Sequence, residues 1–518
     1  MSTLVQPVEV GAAPRAKSGA GLLGQLLSFP TLIGAGLIAR AYWTCRSQIA
    51  DPDLGFHLLN GKHLLAHGHF PTIDSYSFTA AGSTWLDHAW LPEVLYYLAH
   101  HALGWRGVFV VFAVCVAALY IGIFLLCRKE TNDPLAAGVA TLFGGWLAMV
   151  GFTPRTQNIG WLCFVAVYAI LLRFRAARGD RLWLIPLIFC LWINCHGAWP
   201  FGFIVFGAVL GTGWIREDIG QLRAAPWTAA ERKKLIAVFA ASAAALFINP
   251  FGYRLVFLPM RVALRQQMGI RWTEEYASVD FNDPRGYLVM VILAAVFLMA
   301  LIPRKPWRID DALLTMLVLY FGLTHIRFLI LAGIVLPPIL ASHFGKITSY
   351  DPAHERRLLN GVLLGVVVAV LVWGFPSERF LQAQMEDFFP VRAVRYLEAH
   401  PQEGNLFNSY EWGGYLEWTL PNVKTFIDSR DDIFEFRGVF KSYLEIYTLK
   451  NSQEVLDEYG VSYLLIPAEA PLTYLVSRSP LWVCIYRDNQ AVIYRRTRDP
   501  GLNNPGGLKA CSGQDQPM

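Results

Sequence analysis

The stretch GVFVVFAVCVAALYIGIFLLCRK, residues 107–129, decides the fold of this chain. No charged residue lies between Arg106 and Arg128, and a run of about 18 apolar residues is long enough to cross the hydrocarbon core of a bilayer. Arg128 and Lys129 follow directly, as is typical of a membrane helix that ends on the cytoplasmic side. The stretch therefore predicts a membrane-spanning helix.

The same pattern recurs along most of the chain. Of its 518 residues, 54% are hydrophobic and 16% are charged, whereas soluble domains carry about 25% charged residues. The net charge of +5 is small for this length and gives no reason to expect a nucleic-acid partner. We predict an α-helical polytopic membrane protein with about eleven transmembrane helices. The predicted spans are 23–43, 106–127, 134–152, 157–173, 182–196, 199–215, 234–250, 286–303, 310–324, 326–345 and 358–375.

The basic residues predict how these spans are oriented. They cluster in alternate loops, and loops rich in Lys and Arg remain in the cytoplasm. The N-terminal tail, residues 1–22, is then cytoplasmic, and an odd number of spans puts the C-terminal region outside. This gives a transmembrane domain at 23–375 with a long external first loop at 44–105. The basic residues on the cytoplasmic side are Arg15, Lys17, Arg128, Lys129, Arg173, Arg175, Arg178, Arg181, Arg216, Arg223, Arg232, Lys233, Lys234, Arg304, Lys305, Arg308, Lys346, Arg356 and Arg357.

The composition changes after residue 375, where short patterns replace the apolar blocks. Strands that alternate with helices favour a small external α/β domain over residues 376–498. The tail 499–518 contains much Gly, Pro, Asn and Gln and is expected to be disordered. The predicted helices are 391–400, 438–449 and 452–459, and the predicted strands are 423–427, 461–466 and the hairpin 481–486 with 491–494.

Two carboxylates, Asp51 and Asp53, lie where the first span leaves the bilayer. Charges at a membrane edge are costly and often functional, and a carboxylate in a partly dry cleft can act as a general base. Asp53 is the stronger catalytic candidate, because His57 follows one helical turn later. The alternative is that both residues cap an amphipathic surface helix that begins at Leu54.

Three predicted hairpins of membrane helices have polar tips on the same external side. These tips contain Arg155, His196 and Arg327, which we consider candidates for binding a lipid-linked phosphate. A guanidinium near bilayer depth needs an anionic partner and can bind a phosphate through two parallel hydrogen bonds. Ion pairs with the aspartates and snorkelling are the alternatives for the arginines. Asn194 can position a substrate or join two helices by hydrogen bonds.

The first external loop is dense in polar and aromatic residues. We take His57, Asp74, His88 and Glu93 as candidates for substrate binding, because loops on a rigid scaffold often carry such residues. Anchoring at the membrane interface by Trp and Tyr is the alternative. The histidines and carboxylates also raise the prospect of a divalent cation such as Mg²⁺ or Mn²⁺, although no strict metal motif is present. Residues 428–432 either border a ligand site or form a turn with salt bridges.

Several short motifs occur in the same order in a known class of membrane enzyme. They are D-x-D…H…G at Asp51, Asp53, His57 and Gly61, D-x-x-S-x-T at Asp74, Ser77 and Thr79, W-x-x-H-x-W-L-x-E at Trp85–Glu93, Y-E-W-G-G-Y at Tyr410–Tyr415, and F-I-D-x-R-x-D at Phe426–Asp432. In this order they resemble a poorly characterised bacterial set within the GT-C superfamily of integral membrane glycosyltransferases. The resemblance covers about residues 45 to 497.

That resemblance implies a polyprenyl-phosphate-linked sugar donor and reaction on the external face. It also implies inversion at the sugar by a carboxylate of the first loop, which is Asp53 here, with Asp51 second. Gly55 departs from the pattern, because similar chains often have an aromatic residue there, and stacking of a sugar at this position is not implied.

Three functions follow from these residues. In the first, a glycosyltransferase, Asp53 deprotonates an acceptor hydroxyl on a glycan, lipid or protein, while Arg155 or Arg327 holds the donor phosphate. In the second, a non-enzymatic protein with a decayed site binds or assembles lipid-linked glycans. A transporter ranks last, because the polar residues cluster on one face and the sequence has no internal repeat.

Overall fold

The computed structural model describes residues 21–301, 305–344, 347–348 and 350–497. The described chain is mostly helical, and a helix lies in each of the eleven predicted spans. The predicted tail 499–518 lies outside the described residues, as does all of the predicted tail 1–22 except its last two residues. The helices of ten or more residues up to the end of the bundle are α1 (Phe29–Arg46), α2 (Leu54–His67), α3 (Trp90–Leu103), α4 (Trp105–Thr131), α5 (Pro134–Ala148), α6 (Gln157–Arg175), α7 (Leu184–Ile193), α8 (Trp199–Thr212), α9 (Ala229–Ala245), α10 (Pro284–Leu301), α11 (Ile309–Thr324), α12 (Leu329–Phe344) and α13 (Arg357–Trp373).

Apolar helices make this chain a membrane protein. Among the described residues, five helical segments are long and apolar enough to cross a membrane: Trp105–Thr131, Pro134–Gly151, Gln157–Arg175, Pro284–Leu301 and Ile326–His343. A sixth span results if α13 and the next helix, which meet at a bend of 64°, count as one. Helices α7 and α8 are apolar but shorter. The count of eleven spans therefore stays a prediction.

The two amphipathic stretches of the first loop are helices, as expected. Helix α2 begins directly after Asp53 and ends before Gly68, whose φ of 69° is a left-handed conformation that favours glycine at a helix end. Helix α3 follows from Trp90 and packs along α2. These two helices position the acidic pair and the histidines against the ends of the bundle.

A small α/β region follows the bundle, and most of its predicted elements are confirmed. The four strands have the order β1-β2-β4-β3, with β1 and β2 parallel and the other neighbours antiparallel. The predicted helices 391–400, 438–449 and 452–459, the strand 461–466 and the final hairpin are all present. The elements are α14 (Glu378–Phe388), α15 (Val391–Ala399), β1 (Asn405–Asn408), α16 (Gly413–Thr419), α17 (Asp431–Phe436), α18 (Val439–Tyr447), α19 (Ser452–Glu458), β2 (Val461–Pro467), α20 (Pro471–Val476), β3 (Trp482–Arg487) and β4 (Ala491–Arg496).

One predicted strand, residues 423–427, is wrong. Within it only Thr425 pairs, in an isolated bridge with Ser77 of the first loop. The segment is instead held between that loop and β1, whose Asn408 Oδ1 accepts the Phe426 N–H at 2.8 Å. Its Phe426 is therefore buried between Phe78 of the first loop and Phe407 of β1 without forming a strand itself.

The α/β region packs directly on the first loop. A hydrophobic cluster joins Trp85 of that loop to Phe407 and Phe426 of the α/β region. The closest approach is between α2 and α16, where a Cβ added at Gly55 would lie 2.0 Å from the carbonyl oxygen of Gly414. The position where similar chains often have an aromatic side chain is therefore filled here by another helix.

Candidate functional site

The acidic pair lies in a tight turn between α1 and α2. Asp51 Oδ1 accepts the backbone N–H of Asp53 at 2.9 Å, whereas the Asp53 side chain makes no capping hydrogen bond to α2. The Asp51 side chain is 2% exposed and that of Asp53 is 18% exposed. Helix capping therefore does not occupy the Asp53 carboxylate, which keeps access to solvent and to a ligand.

Arg155 lies at the tip between α5 and α6 and contacts both aspartates. Its Nε lies 2.7 Å from Asp51 Oδ2 and 3.2 Å from Asp53 Oδ2, and its Nη1 lies 2.9 Å from Glu275 Oε1. The structure thus brings the predicted phosphate ligand and the predicted bases together as an ion-pair cluster. Arg155 therefore forms the ion pair with the aspartates that was the alternative to phosphate binding.

Arg327 reaches the same cluster through Glu275. Its Nη1 lies 3.7 Å from Glu275 Oε2, and its guanidinium lies over the Tyr276 ring at 4.5 Å. Because 3.7 Å is too long for a hydrogen bond, Arg327 is held more loosely than Arg155. Glu275 was not among the predicted site residues. Its only sequence signal was the acidic and aromatic stretch 272–276 in the second long outer loop, residues 251–285.

Burial changes the ionisation of this cluster. Burial raises the pKa of Asp51 to about 6, with Arg155 opposing the shift and Asp53 adding to it. Asp51 is therefore a carboxylate at neutral pH that gains a proton in mildly acidic solution. Its buried position makes it a partner of Arg155 rather than a group open to substrate.

His57 and Glu93 meet behind the acidic pair. His57 Nδ1 lies 2.6 Å from Glu93 Oε1, and Asn60 Nδ2 donates to the same oxygen at 3.2 Å. Both His57 and Glu93 are buried, so they contact each other rather than an open pocket. This contact joins the D-x-D…H…G motif, which contains His57, to the W-x-x-H-x-W-L-x-E motif, which ends at Glu93.

His88 and His196 lie side by side, with ring centroids 6.0 Å apart. Burial lowers the pKa of His88 to about 4, so this ring is neutral and can donate or accept a hydrogen bond without carrying charge. His196 Nδ1 accepts the N–H of Ala198 at 3.1 Å. These two histidines lie at the same end of the bundle as the acidic pair.

Asn194 is engaged on every side of its amide. Its Nδ2 donates to the carbonyl oxygens of Cys190 at 2.8 Å and Ile248 at 2.9 Å, and its Oδ1 accepts from Trp90 Nε1 at 2.9 Å. The structure thus shows the helix-joining alternative for this residue. Both hydrogens of its amide are therefore used, and the second lone pair of Oδ1 is what is left for a substrate.

Asp74 is enclosed rather than open. It is 2% exposed, accepts from Ser77 Oγ at 2.6 Å, and lies 2.8 Å from Arg430 Nη2. Arg430 also donates from Nε to Asp428 at 2.9 Å. Residues 428–432 thus form a turn with salt bridges, which was the alternative to a ligand site. Asp74 is one of the partners in these salt bridges.

The described residues offer no ligand set for the predicted Mg²⁺ or Mn²⁺. No group of three or more His, Cys, Asp or Glu side chains among them could hold a metal ion. The acidic pair instead contacts the guanidinium of Arg155. The rings of His63, His67 and His69 pack against one another and likewise belong to no such group.

Comparison with known proteins identifies the fold. No family model matches the chain, and no curated protein matches its sequence. Among solved structures, the Archaeoglobus fulgidus oligosaccharyltransferase tethered to an acceptor peptide is 11% identical over 90% of this chain and 74% of its own, with a TM-score of 0.51. ArnT from Cupriavidus metallidurans bound to undecaprenyl phosphate is 12% identical over 91% of this chain and 98% of its own, also with a TM-score of 0.51. The chain therefore shares its fold with these two solved structures.

Proposed function

We propose that this protein is a membrane glycosyltransferase that takes a sugar from a polyprenyl-phosphate-linked donor and transfers it, with inversion, to an acceptor hydroxyl on the external face. The observation that carries the proposal is the Asp53 carboxylate. It is partly exposed, is not used in helix capping, and lies within 3.2 Å of Arg155. A base beside cations at the end of an apolar bundle suits a donor that is anionic and lipid-linked.

Each charged group has a role in this reaction. Asp53 accepts the proton of the acceptor hydroxyl while the hydroxyl oxygen forms a bond to the anomeric carbon of the donor sugar. The bond from that carbon to the phosphate oxygen breaks, and its electron pair leaves with the polyprenyl phosphate. Arg327 is the better phosphate ligand, because its contact with Glu275 is long, at 3.7 Å. Arg155, in contrast, is held by Asp51 at 2.7 Å. Neutral His196 and His88 can bond to the sugar or the phosphate.

An apolar groove between the first loop and the bundle suits the polyprenyl chain. Its volume is about 630 Å³, and Trp90 and Asn194 are among its lining residues. The orientation that fits is a cytoplasmic N-terminus with the first loop, the second outer loop and the α/β domain outside a bacterial inner membrane. The lining residues are Trp90, Leu91, Leu187, Cys190, Leu191, Asn194, Phe247, Ile248, Asn249 and Pro250.

The proposal is tested by replacing Asp53 with Asn in protein reconstituted into nanodiscs. Transfer of radiolabelled sugar from a panel of polyprenyl-phosphate hexoses and pentoses should fall by about 10²–10⁴-fold, because the base is lost. Asp283→Asn is the matched control, since Asp283 is an exposed aspartate of the second outer loop that bonds only locally to Arg285. Normal transfer by the Asp53 variant would reject the assignment.

A second function is a lipid-linked glycan binding or assembly protein without turnover. The observation that favours it is the ion-pair cluster, in which Arg155 already contacts both Asp51 and Asp53. This protein would bind polyprenyl phosphate but release no sugar from any donor of the panel. A transporter is a weaker third candidate, because the polar site groups gather at one end of the bundle.

A further inference from the structure

A second cavity lies between the first loop, the second outer loop and the α/β region. Its volume is about 400 Å³. It is lined by Thr84 and Leu86 of the first loop, by five residues between positions 253 and 261, and by Asp432 and Phe436 of α17. None of the candidates for the base or for phosphate binding is among these residues, so the proposed reaction leaves the cavity unused.

Hydrogen bonds join the walls of this cavity at two places. The backbone N–H groups of Met268 and Gly269 donate to the two carboxylate oxygens of Glu435 at 2.8 and 2.9 Å, which joins the second outer loop to α17. Arg437 Nε donates to Ser83 Oγ at 2.7 Å, which joins the chain just after α17 to the first loop. The cavity is therefore bounded by three segments that also contact one another.

Two arginines of the cavity have no acidic partner. Among the described residues, no Asp or Glu oxygen lies within 4.0 Å of the guanidinium nitrogens of Arg254 or Arg261. The Arg261 guanidinium lies 5.7 Å from the centre of the Phe436 ring. Residues 251–273 include two further arginines and no Asp or Glu, so the neighbouring sequence does not neutralise this charge. Guanidinium groups without a partner beside a cavity favour an anionic ligand.

The other lining groups favour a sugar over a simple anion. Tyr253, Phe257 and Phe436 are exposed aromatic residues, and the C–H face of a sugar ring can pack on an aromatic ring. Asp432 and Thr84 supply a carboxylate and a hydroxyl, which bind sugar hydroxyl groups by hydrogen bonds. A simple anion would meet Asp432 as a like charge, whereas a sugar acid also brings hydroxyl hydrogens that can be donated to it.

This cavity adjoins the apolar groove that suits the polyprenyl chain. In the first loop, Leu86 lines the cavity and Trp90 lines the groove. In the second outer loop, residues 247–250 line the groove, whereas the residues that line the cavity begin at Tyr253. The two spaces are therefore neighbours along both loops.

Helix α17 connects the cavity to the acidic pair. Asp432 lines the cavity, and the preceding residue, Asp431, accepts a hydrogen bond from Tyr410 Oη at 2.6 Å. Burial raises the pKa of Asp431 to about 7, and the charge of Asp53 adds to this shift. Asp431 is thus close enough to the candidate base for the two charges to interact, and the cavity begins one residue further along α17.

We propose that this cavity binds an acidic glycan, which is the acceptor, through a carboxylate-bearing sugar held by Arg254 and Arg261. The inference rests on the proposed function, because it names the class of substrate that receives the sugar. The acidic sugar anchors the glycan in the cavity, and a neighbouring sugar of the same glycan brings its hydroxyl to Asp53. The donor lipid lies in the groove, so the two substrates reach the reaction centre from different sides.

The binding of matched tetrasaccharides tests this site without any need for transfer. One set consists of fluorescently labelled tetrasaccharides of glucuronic, galacturonic and mannuronic acid. The other set has the same tetrasaccharides with each carboxyl group reduced to a hydroxymethyl group. In nanodiscs of neutral phosphatidylcholine, wild type should bind at least one acidic tetrasaccharide about tenfold more tightly than its reduced form, because reduction removes the charge-assisted hydrogen bonds to the arginines. Fluorescence anisotropy measures both dissociation constants.

Variants of the lining residues separate charge from ring packing. Combining Arg254→Gln with Arg261→Gln should abolish the preference for the acidic form, so that both forms bind nearly equally. Tyr253→Leu removes a ring but no charge, so it should weaken the binding of both forms and keep the preference. Arg265→Gln is the matched control, because Arg265 is an exposed arginine of the same helix as Arg261 and does not line the cavity; it should bind like wild type.

Failure of this site and failure of the proposed function give different results. If an acidic tetrasaccharide binds with this dependence on the arginines but receives no sugar from any donor of the panel, the cavity is confirmed as a glycan site and the transfer reaction fails. If sugar is transferred to a reduced tetrasaccharide as readily as to its acidic form, or if no acidic tetrasaccharide binds, the inference is overturned. Binding of short-chain phosphatidylglycerol that depends on Arg254 and Arg261, without binding of any acidic tetrasaccharide, would assign the cavity to a lipid headgroup and would also overturn it.

Discussion

Arg430 is a cation that the fold encloses almost completely, at 4% exposure. It contacts Asp74 from the first loop and Asp428 and Glu417 from the α/β region, and its guanidinium lies 5.0 Å from the Trp85 ring centre. Removing one partner of a buried ion pair is costly because the remaining charge stays desolvated. A single side chain therefore fastens the α/β region to the loop that carries the candidate base.

Replacing Arg430 with Met should lower the thermal unfolding midpoint in nanodiscs, with a loss of about 3–5 kcal/mol. Burial raises the folded-state pKa of Glu417 well above its usual range, so its contribution favours the fold at low pH and is lost as the pH rises. The destabilisation should thus be smaller at about pH 5 than at about pH 8. Arg437→Met is the control, since exposed Arg437 also bonds to the first loop, at Ser83, and should matter little. Similar losses in both variants would contradict this account.

Helix α2 shows what the sequence could and could not predict among the elements. Its amphipathic pattern predicted a helix from Leu54 to His67, because such a pattern is a local signal. The partner of α2 was not predictable, since the contact between Gly55 and Gly414 joins distant segments. The same limit explains the wrong strand at 423–427, whose apolar residues cover the first loop.

Replacing Gly55 with Ala should separate α2 from α16. The added Cβ would lie 2.0 Å from the Gly414 carbonyl oxygen, and backbone cannot yield as a flexible side chain can. We expect a lower unfolding midpoint together with weaker sugar transfer, because α2 also carries His57 and follows Asp53. Gly36→Ala is the matched change in α1, where a Cβ meets nothing within 4 Å, and it should be neutral or stabilise by up to about 1 kcal/mol. Equal behaviour of the two variants would mean that the close approach has no effect.

At the scale of the whole molecule, the site is assembled from segments far apart in sequence. Alternation of basic loops predicted that Arg155, His196 and Arg327 share the side of the acidic pair, and contacts of Arg155 at 2.7 and 3.2 Å agree with that prediction. Glu275, which links the two arginines, could not be predicted. A carboxylate in a long loop has no periodicity or spacing that distinguishes it from a solvated one.

The charge of this assembled site predicts how it binds a phosphate. At neutral pH three carboxylates (Asp51, Asp53 and Glu275) face two guanidinium groups, which leaves one net negative charge. Burial raises the pKa of Asp51 to about 6, so the site gains a proton and becomes neutral as the pH falls below that value. Undecaprenyl phosphate should therefore bind several-fold more tightly at about pH 5 than at about pH 7.

Glu275→Gln removes the same negative charge without acid and should strengthen that binding at neutral pH. It also frees Arg155 Nη1 and Arg327 Nη1 from the carboxylate that they share, so both can turn to the ligand. Glu274→Gln is the matched control, because its side chain is exposed and pairs with neither arginine. The binding of radiolabelled undecaprenyl phosphate is measured for wild type, Glu275→Gln and Glu274→Gln in nanodiscs, each at about pH 5 and at about pH 7. If neither acid nor Glu275→Gln strengthens binding, the ion-pair cluster is not where the phosphate lies, and the arginines serve only to hold the first loop in place.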